Sequence, residues 1–247
     1  MMMSYAKMTF EDTNRVKRFF QNSRLQDAIH LVPGGNDPEL IVDFGAGNGE
    51  LCKHLAERFP KAKILCYEPH PGLQEQARQN LQSADNITFI SDPEELPLAS
   101  AELLFCLEVF EHLPEREFGI AMDQIRQTLA SGGTAIIGVP IEVGIPALYK
   151  GIFRMFRRFG EFDARPRNIL TAVFGNAPAD RPVVELMPGS YYHLHHLGFD
   201  YRRFRKLLGR EFQIVKTSAS PFSIFGVTIN SELHFVVLRR KQLTQSL

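Results

Sequence analysis

Between Leu40 and Pro140, short and almost wholly apolar runs (LIVDFG, AKILCYEP, ITFIS, LLFCLEV and TAIIGVP) alternate with segments of helical length. Strands that are apolar throughout, rather than at every second residue, have to be covered on both faces. Parallel pairing joined by crossover helices achieves this, so the pattern predicts an α/β chain with a doubly wound parallel sheet. Its helices are expected over Gly49–Phe59, Pro71–Leu81 and Glu115–Leu129. Two later runs, EFQIVKT and ELHFVVLRRK, read as a hairpin that adds an antiparallel element. Before them, FDYRRFRKLLG predicts a short helix that Asp200 can cap and Gly209 can end.

Outside this rhythm lie two further segments. Val16, Phe19, Phe20, Leu25, Ile29 and Leu31 recur near helical spacing, so an N-terminal helix is expected over 10–32, stopped by Pro33 and two glycines. Residues 141–190 are rich in Pro, Gly and aromatics and read as an insertion that covers the site as a lid. With 247 residues and 44% hydrophobic content, one domain spanning 1–247 can bury a large core. A formal net charge of zero gives no sign of a nucleic-acid partner. The N-terminus lacks the apolar core of a signal peptide and no uncharged stretch is long enough for a bilayer, so a cytoplasmic protein is expected. Cys52, Cys66 and Cys106 form no CxxC and the histidines no HExxH, which leaves no metal assigned.

Chemistry is expected where strand order reverses, outside the carboxyl ends of the strands. The turn FGAGNGEL after the first strand places Gly45, Gly47 and Gly49 there. Its spacing is not the G-x-G-x-x-G of a dinucleotide site. Asp43, two residues before the first glycine, would repel a phosphate and suits an amine-bearing ligand. Glu68, followed by Pro69 at the second strand tip, can accept both hydroxyls of a ribose. Asp92 after the third strand can accept an exocyclic amine such as that of adenine. Together they describe a ligand with an amine, a ribose and an adenine, and no phosphate.

In these motifs the chain resembles the class I S-adenosylmethionine-dependent methyltransferases. The resemblance rests on DFGAGNG, Glu68, Asp92, LPLASAELLFCLEVFEHLPE and LASGGTAIIGVP, in order from Glu39 to about Pro140, and resumes more weakly at HLHHLGFDYRRFRKLL. It implies a Rossmann-like sheet of seven strands and S-adenosylmethionine as cofactor, released as S-adenosylhomocysteine. It also implies methyl transfer to a small-molecule or lipid-like acceptor. Carried over by residue, Gly45, Ala46 and Gly47 pack against the methionine part and ribose, and Asp43 fixes the amino group. Leu107 lies beside the methionine moiety, and Arg24 is the candidate for its carboxylate. A protein acceptor and a non-catalytic regulatory module remain as alternatives. No N-P-P-[YF] motif follows the fourth strand, where LEVF stands instead.

Three segments are candidates for acceptor-side chemistry. In LEVFEHLPE, Glu108, Glu111 and His112 fall at i, i+3 and i+4 and share one side if the segment is helical. The stretch is similar to ubiquinone-pathway O-methyltransferases, whose E-x-x-E-H is associated with a divalent metal. A cofactor-loop role, a base and a metal ligand all stay open for Glu111 and His112. In YYHLHHLGFDY, His193, His195 and His196 accompany Tyr191 and Tyr192, and His195 is carried forward as a base candidate. In IPALYKGIFRMFRRFGEF, Leu148, Ile152, Met155, Phe156 and Phe159 share one helical face and Lys150, Arg154, Arg157 and Arg158 the other. That helix reads either as a lid packing its apolar face over the site, or as a contact through 147–159 with an anionic membrane or a tailed acceptor.

Overall fold

The computed structural model describes residues 15–35 and 37–240, so residues 10–14 of the expected first helix lie outside the described residues. Chain contacts divide it into two units, Met1–Cys106 with Thr128–Ile136, and Leu107–Gln127 with Ile137–Leu247. The first unit contains α1 (Arg15–His30), β1 (Leu40–Phe44), α2 (Glu50–Arg58), β2 (Lys63–Tyr67), α3 (Pro71–Asn80), β3 (Ile87–Ile90) and most of β4 (Ala101–Leu107). Here β1 pairs in parallel with β2 on one side and β4 on the other, and β2 pairs with β3. Ile41, Val42, Ile64, Leu103, Leu104 and Phe105 are buried, as burial on both faces of a parallel sheet requires.

Counting the later strands β5 (Leu129–Pro140), β8 (Phe212–Ser220) and β9 (Glu232–Arg239), the seven-stranded order is β3-β2-β1-β4-β5-β9-β8. Strand order reverses between β1 and β4, which is where a doubly wound sheet opens a crevice. The last hairpin is antiparallel, with a register shift between Ile214 and Lys216. This is the Rossmann-like arrangement that the sequence leads one to expect.

The second unit adds α4 (Glu115–Thr128), α5 (Ile145–Arg158), α6 (Pro166–Val173), a small hairpin of β6 (Val183–Met187) and β7 (Ser190–His193), and α7 (Tyr201–Glu211). Its core is a run of rings, with Phe110 5.0 Å from Phe118 and 5.1 Å from Phe204, and Phe204 5.7 Å from Phe235. A smaller cluster of Ala147, Ile169, Ala172 and Leu197 joins α5 to α6. Gly151 permits that contact, since a Cβ there would stand 2.6 Å from Ile169.

Two expectations change here. The helix capped by Asp200 runs through Gly209 to Glu211, because Leu208 and Phe212 are both buried and the Phe212 N–H closes onto the Leu208 carbonyl. The two faces of α5 are also reversed. Lys150, Arg154 and Arg158 turn towards buried carboxylates, while Leu148, Ile152, Phe156 and Phe159 face solvent. The inward side of α5 is made by Pro146, Ala147 and Gly151, whose small size lets the helix approach its neighbours closely.

Candidate functional site

In the first unit the chain leaves β1 through a turn tied to the next strand. The N–H groups of Gly45 and Ala46 both donate to the Tyr67 carbonyl, at 2.8 and 2.9 Å. Gly49 has φ +81°, and a Cβ there would meet Leu81 at 2.6 Å, so only glycine lets α2 start this close to α3. Gly47 has φ +58° and open space where a side chain would stand, the arrangement expected where a ligand approaches the backbone. Its N–H donates to Glu68 Oε2 at 2.8 Å, and the His70 N–H donates to Glu68 Oε1 at 2.8 Å. Glu68 is thereby fixed beside the turn with no cation on it among the described residues. Burial pushes its carboxyl up to about 7 against those two N–H groups. Asp43 lies beneath the turn and accepts from the Cys52 thiol at 3.2 Å, and burial likewise raises it to about 7.

In the second unit the residue that follows β4 is Glu108, a non-glycine residue at φ +56° whose N–H donates to the Gly138 carbonyl at 3.0 Å. Left-handed backbone at such a residue is strained and is often found at functional sites. The segment Phe110–His112 forms only a 3-10 turn, so Glu108, Glu111 and His112 do not share an α-helical face. They are gathered instead by His196, which arrives from beyond β7. His112 Nδ1 lies 2.7 Å from the His193 carbonyl and must donate to it. His112 Nε2 is therefore an acceptor, and His196 Nε2, 3.1 Å away, donates to it. In this tautomer His196 Nδ1 bears the lone pair, 3.9 Å from Glu108 Oε2. Burial lowers both imidazoles, His196 to about 3.

Beside this pair runs a chain of ions. Glu142, fully buried, accepts from Lys150 at 2.9 Å and from both terminal nitrogens of Arg154 at 2.7 and 2.8 Å. Burial alone would raise Glu142, but Arg154 and Lys150 outweigh it and hold the carboxyl well below its ordinary range. Arg154 Nε then stands 3.3 Å from Asp163, which also receives Arg158 at 2.5 Å and has His195 Nδ1 at 3.3 Å. His195 thus belongs to the Asp163 end of the network, and its ring stacks on Phe162.

Residues 41–133 match the family described as a methyltransferase domain. Over those residues the chain is similar to methyltransferases. It is 34% identical over 106 residues to a malonyl-[acyl-carrier protein] O-methyltransferase of Geobacter sulfurreducens, covering 42% of this chain and 39% of that protein. It is 27% identical over 182 residues to a trans-aconitate 2-methyltransferase of Methylobacterium radiotolerans, covering 71% and 64%. The chain therefore spans less than two thirds of either relative. In fold it resembles the N-methyltransferase NodS of Bradyrhizobium japonicum WM9, solved with S-adenosyl-L-homocysteine, at TM-score 0.56 and 13% identity over 93% of this chain and 90% of that one.

The methyltransferase turn fits an adenosine-bearing cofactor on the structure's own terms. Gly47 leaves room for it, and Glu68 is a carboxylate already oriented by backbone and free of salt bridges among the described residues. Pro69 is half-buried between Glu68 and His70, and His70 caps α3 by accepting from the Leu73 N–H. Asp92 is exposed after β3, where its Oδ1 caps the turn Pro93–Glu95 by accepting from the Glu94 N–H at 2.9 Å. Leu107 is half-buried at the end of β4, and Arg24 is half-buried on α1. Sequence reasoning did not find Asp163, Arg181 or the role of Glu142. Arg181, distant in sequence, donates to the carbonyls of both Glu111 and His195 at 2.5 Å. Only the isolated acid in the apolar run GVPIEVGIPALY marks Glu142 in the sequence.

Proposed function

We propose that the protein transfers a methyl group from S-adenosylmethionine to an oxygen of a small-molecule acceptor. The observation that carries this reading is the cradle of Gly47 and Glu68, a backbone left open on one side beside a carboxylate without a cation. When bound, S-adenosylmethionine supplies the activated methyl and its own leaving group. The chain's work is then to bind, align and exclude water, which favours in-line displacement through positioning. In this reading Gly45, Ala46 and Gly47 line the methionine and ribose, and Glu68 accepts from the ribose. Asp92 serves the adenine, Leu107 the methionine, and Arg24 its carboxylate. Asp43 acts from beneath the turn. The names of the relatives, which specify a malonyl group and trans-aconitate, favour an acidic acceptor.

A carboxylate arrives already ionised and needs no base. For an acceptor that must lose a proton, His112, oriented by the His193 carbonyl, is a base candidate, with His196 and Glu108 beside it. Glu111 lies beside both rings, and His195 stays a base candidate at the Asp163 end of the network.

Calorimetric titration with S-adenosylhomocysteine, followed by a methyl-transfer screen of dicarboxylic and tricarboxylic acids, malonyl thioesters and phenols, tests the proposal. Micromolar binding and turnover on any of these oxygen acceptors is expected. No binding of S-adenosylhomocysteine would end the reading. Binding with methylation only of nitrogen or protein acceptors would move the acceptor class.

A further inference from the structure

We infer that the outward face of α5, together with the loop 221–230, is a membrane-binding surface that inserts apolar side chains into an anionic lipid layer. Ile145, Leu148, Tyr149, Ile152, Phe153, Phe156 and Phe159 are all exposed and recur three or four residues apart. That is the stripe by which an ordinary surface helix faces its core, turned outward here. Phe156 is 88% exposed and Phe159 73%, so these rings stand clear of the unit that carries them.

A second element presents the same chemistry. The loop carries Phe222, Ile224, Phe225 and Ile229 exposed, with Ile224 at 86%, and has no charged residue. It is not slack. The fully buried Asn230 accepts from the Phe222 N–H at 2.7 Å and donates to the carbonyls of Phe222 and Gly226 at 2.7 and 2.6 Å. Tyr149 of α5 donates to the Ile229 carbonyl at 3.3 Å, which joins the loop to the stripe. The fold therefore holds solvated apolar tips in place on two neighbouring elements.

Charge selects the occupant. Glu142 is the one acid in 141–160 and is consumed internally by Lys150 and Arg154. The exposed charge on α5 is Arg157, which stands over the Phe153 ring at 5.5 Å. Exposed Arg165 and Arg167 follow at the start of α6, and Glu161, which precedes them, is engaged by Arg158 at 3.7 Å. Apolar tips with a cationic margin match acyl chains beneath anionic headgroups. Single protruding rings need no complementary pockets in a lipid layer, whereas a second protein chain would have to supply them. The binding is thus driven by insertion, not by the basic face of α5, which is spent inside the unit.

The inference rests on this unit's surface and is independent of methyl transfer. Its test is co-sedimentation of the intact chain with vesicles of phosphatidylcholine alone and of phosphatidylcholine with phosphatidylglycerol. The chain is expected to pellet with both and more strongly with the anionic vesicles. Phe156→Ser with Phe159→Ser should weaken binding to either by about tenfold or more, and Ile224→Ser should weaken it separately. Arg157→Glu should lower binding to the anionic vesicles only. Phe156, Phe159 and Ile224 are exposed, so S-adenosylhomocysteine affinity and Tm should stay unchanged in the serine variants. A chain that stays in the supernatant, or serine variants that bind as well as the parent, would overturn the inference. So would dimerisation without lipid that the same variants abolish, which would assign the face to a second copy.

Discussion

Asp43 and Glu68 in the first unit and Glu142 in the second are all buried carboxylates, yet their acidities part in opposite directions. The first two are raised to about 7 by burial and, among the described residues, are met by backbone N–H groups, a thiol and each other. Glu142 is surrounded by Lys150 and Arg154 and held well below the usual range. A carboxylate buried without a cation costs the free protein stability and keeps its accepting capacity for a ligand. One enclosed by cations has already spent that capacity on the fold. The contrast separates the carboxylates proposed to serve a cofactor from a network that fastens the segment after β5 to α5.

The largest effect should come from breaking the network. Glu142→Ala leaves Arg154 and Lys150 buried without their acid and should cost about 3–5 kcal/mol in denaturant unfolding. A loss under about 1 kcal/mol would show that Glu142 is solvated and the contrast unreal. Gly47→Val comes next. It fills the open side of the turn and forces a β-branched residue to φ +58°. S-adenosylhomocysteine affinity should fall about a hundredfold or more, with a stability loss of about 1–3 kcal/mol.

Glu68→Gln should weaken S-adenosylhomocysteine about tenfold, since hydrogen bonds to a charged acceptor are worth about 1.5–3 kcal/mol. The same substitution removes a buried acid from the free protein, so the ligand-free variant should melt no lower than the parent at pH 8. A lower Tm would mean that the Glu68 carboxylate is structural and not reserved.

The smallest effect is in pH, and the signs differ between the regions. Asp43 and Glu68 have folded values above their ordinary 3.8 and 4.5, so the stability they contribute is present below those values and is lost as pH rises towards about 7. Glu142 is depressed, so its contribution is present above 4.5 and is lost as pH falls. Between pH 5 and 8 the Tm of the ligand-free parent should fall relative to that of the Asp43→Asn, Glu68→Gln double variant. S-adenosylhomocysteine affinity should rise over the same range as Glu68 ionises. Parallel Tm curves for the two proteins would place both acids at ordinary values.

The parallel sheet, its helices and the glycine turn were legible in the sequence because each depends on neighbours in the chain. Apolar runs declare burial on both faces, and Gly45, Gly47 and Gly49 declare backbone that other residues enter only with strain. The places of Glu68 and Asp92 just beyond β2 and β3 were legible because strand tips in this topology fall at predictable places. The orientation of α5 was not. Periodicity separates two faces of a helix but does not say which one meets the core, and that was settled by Glu142 and Asp163, acids from outside the helix. Nor did spacing show that His196 would meet His112 while His195 turned to Asp163, since adjacent residues here serve different partners.

By itself, then, the sequence determined the doubly wound sheet and the glycine turn, whose physics is local: strand burial, helix spacing and the φ of single glycines. Tertiary structure alone decided the second unit's polar interior and its exposed apolar face. Buried charges must find partners wherever the folded chain supplies them, and Lys150 and Arg154 found theirs on the inward side of α5. Once that side was spent on ions, the large apolar side chains of α5 were left facing outward.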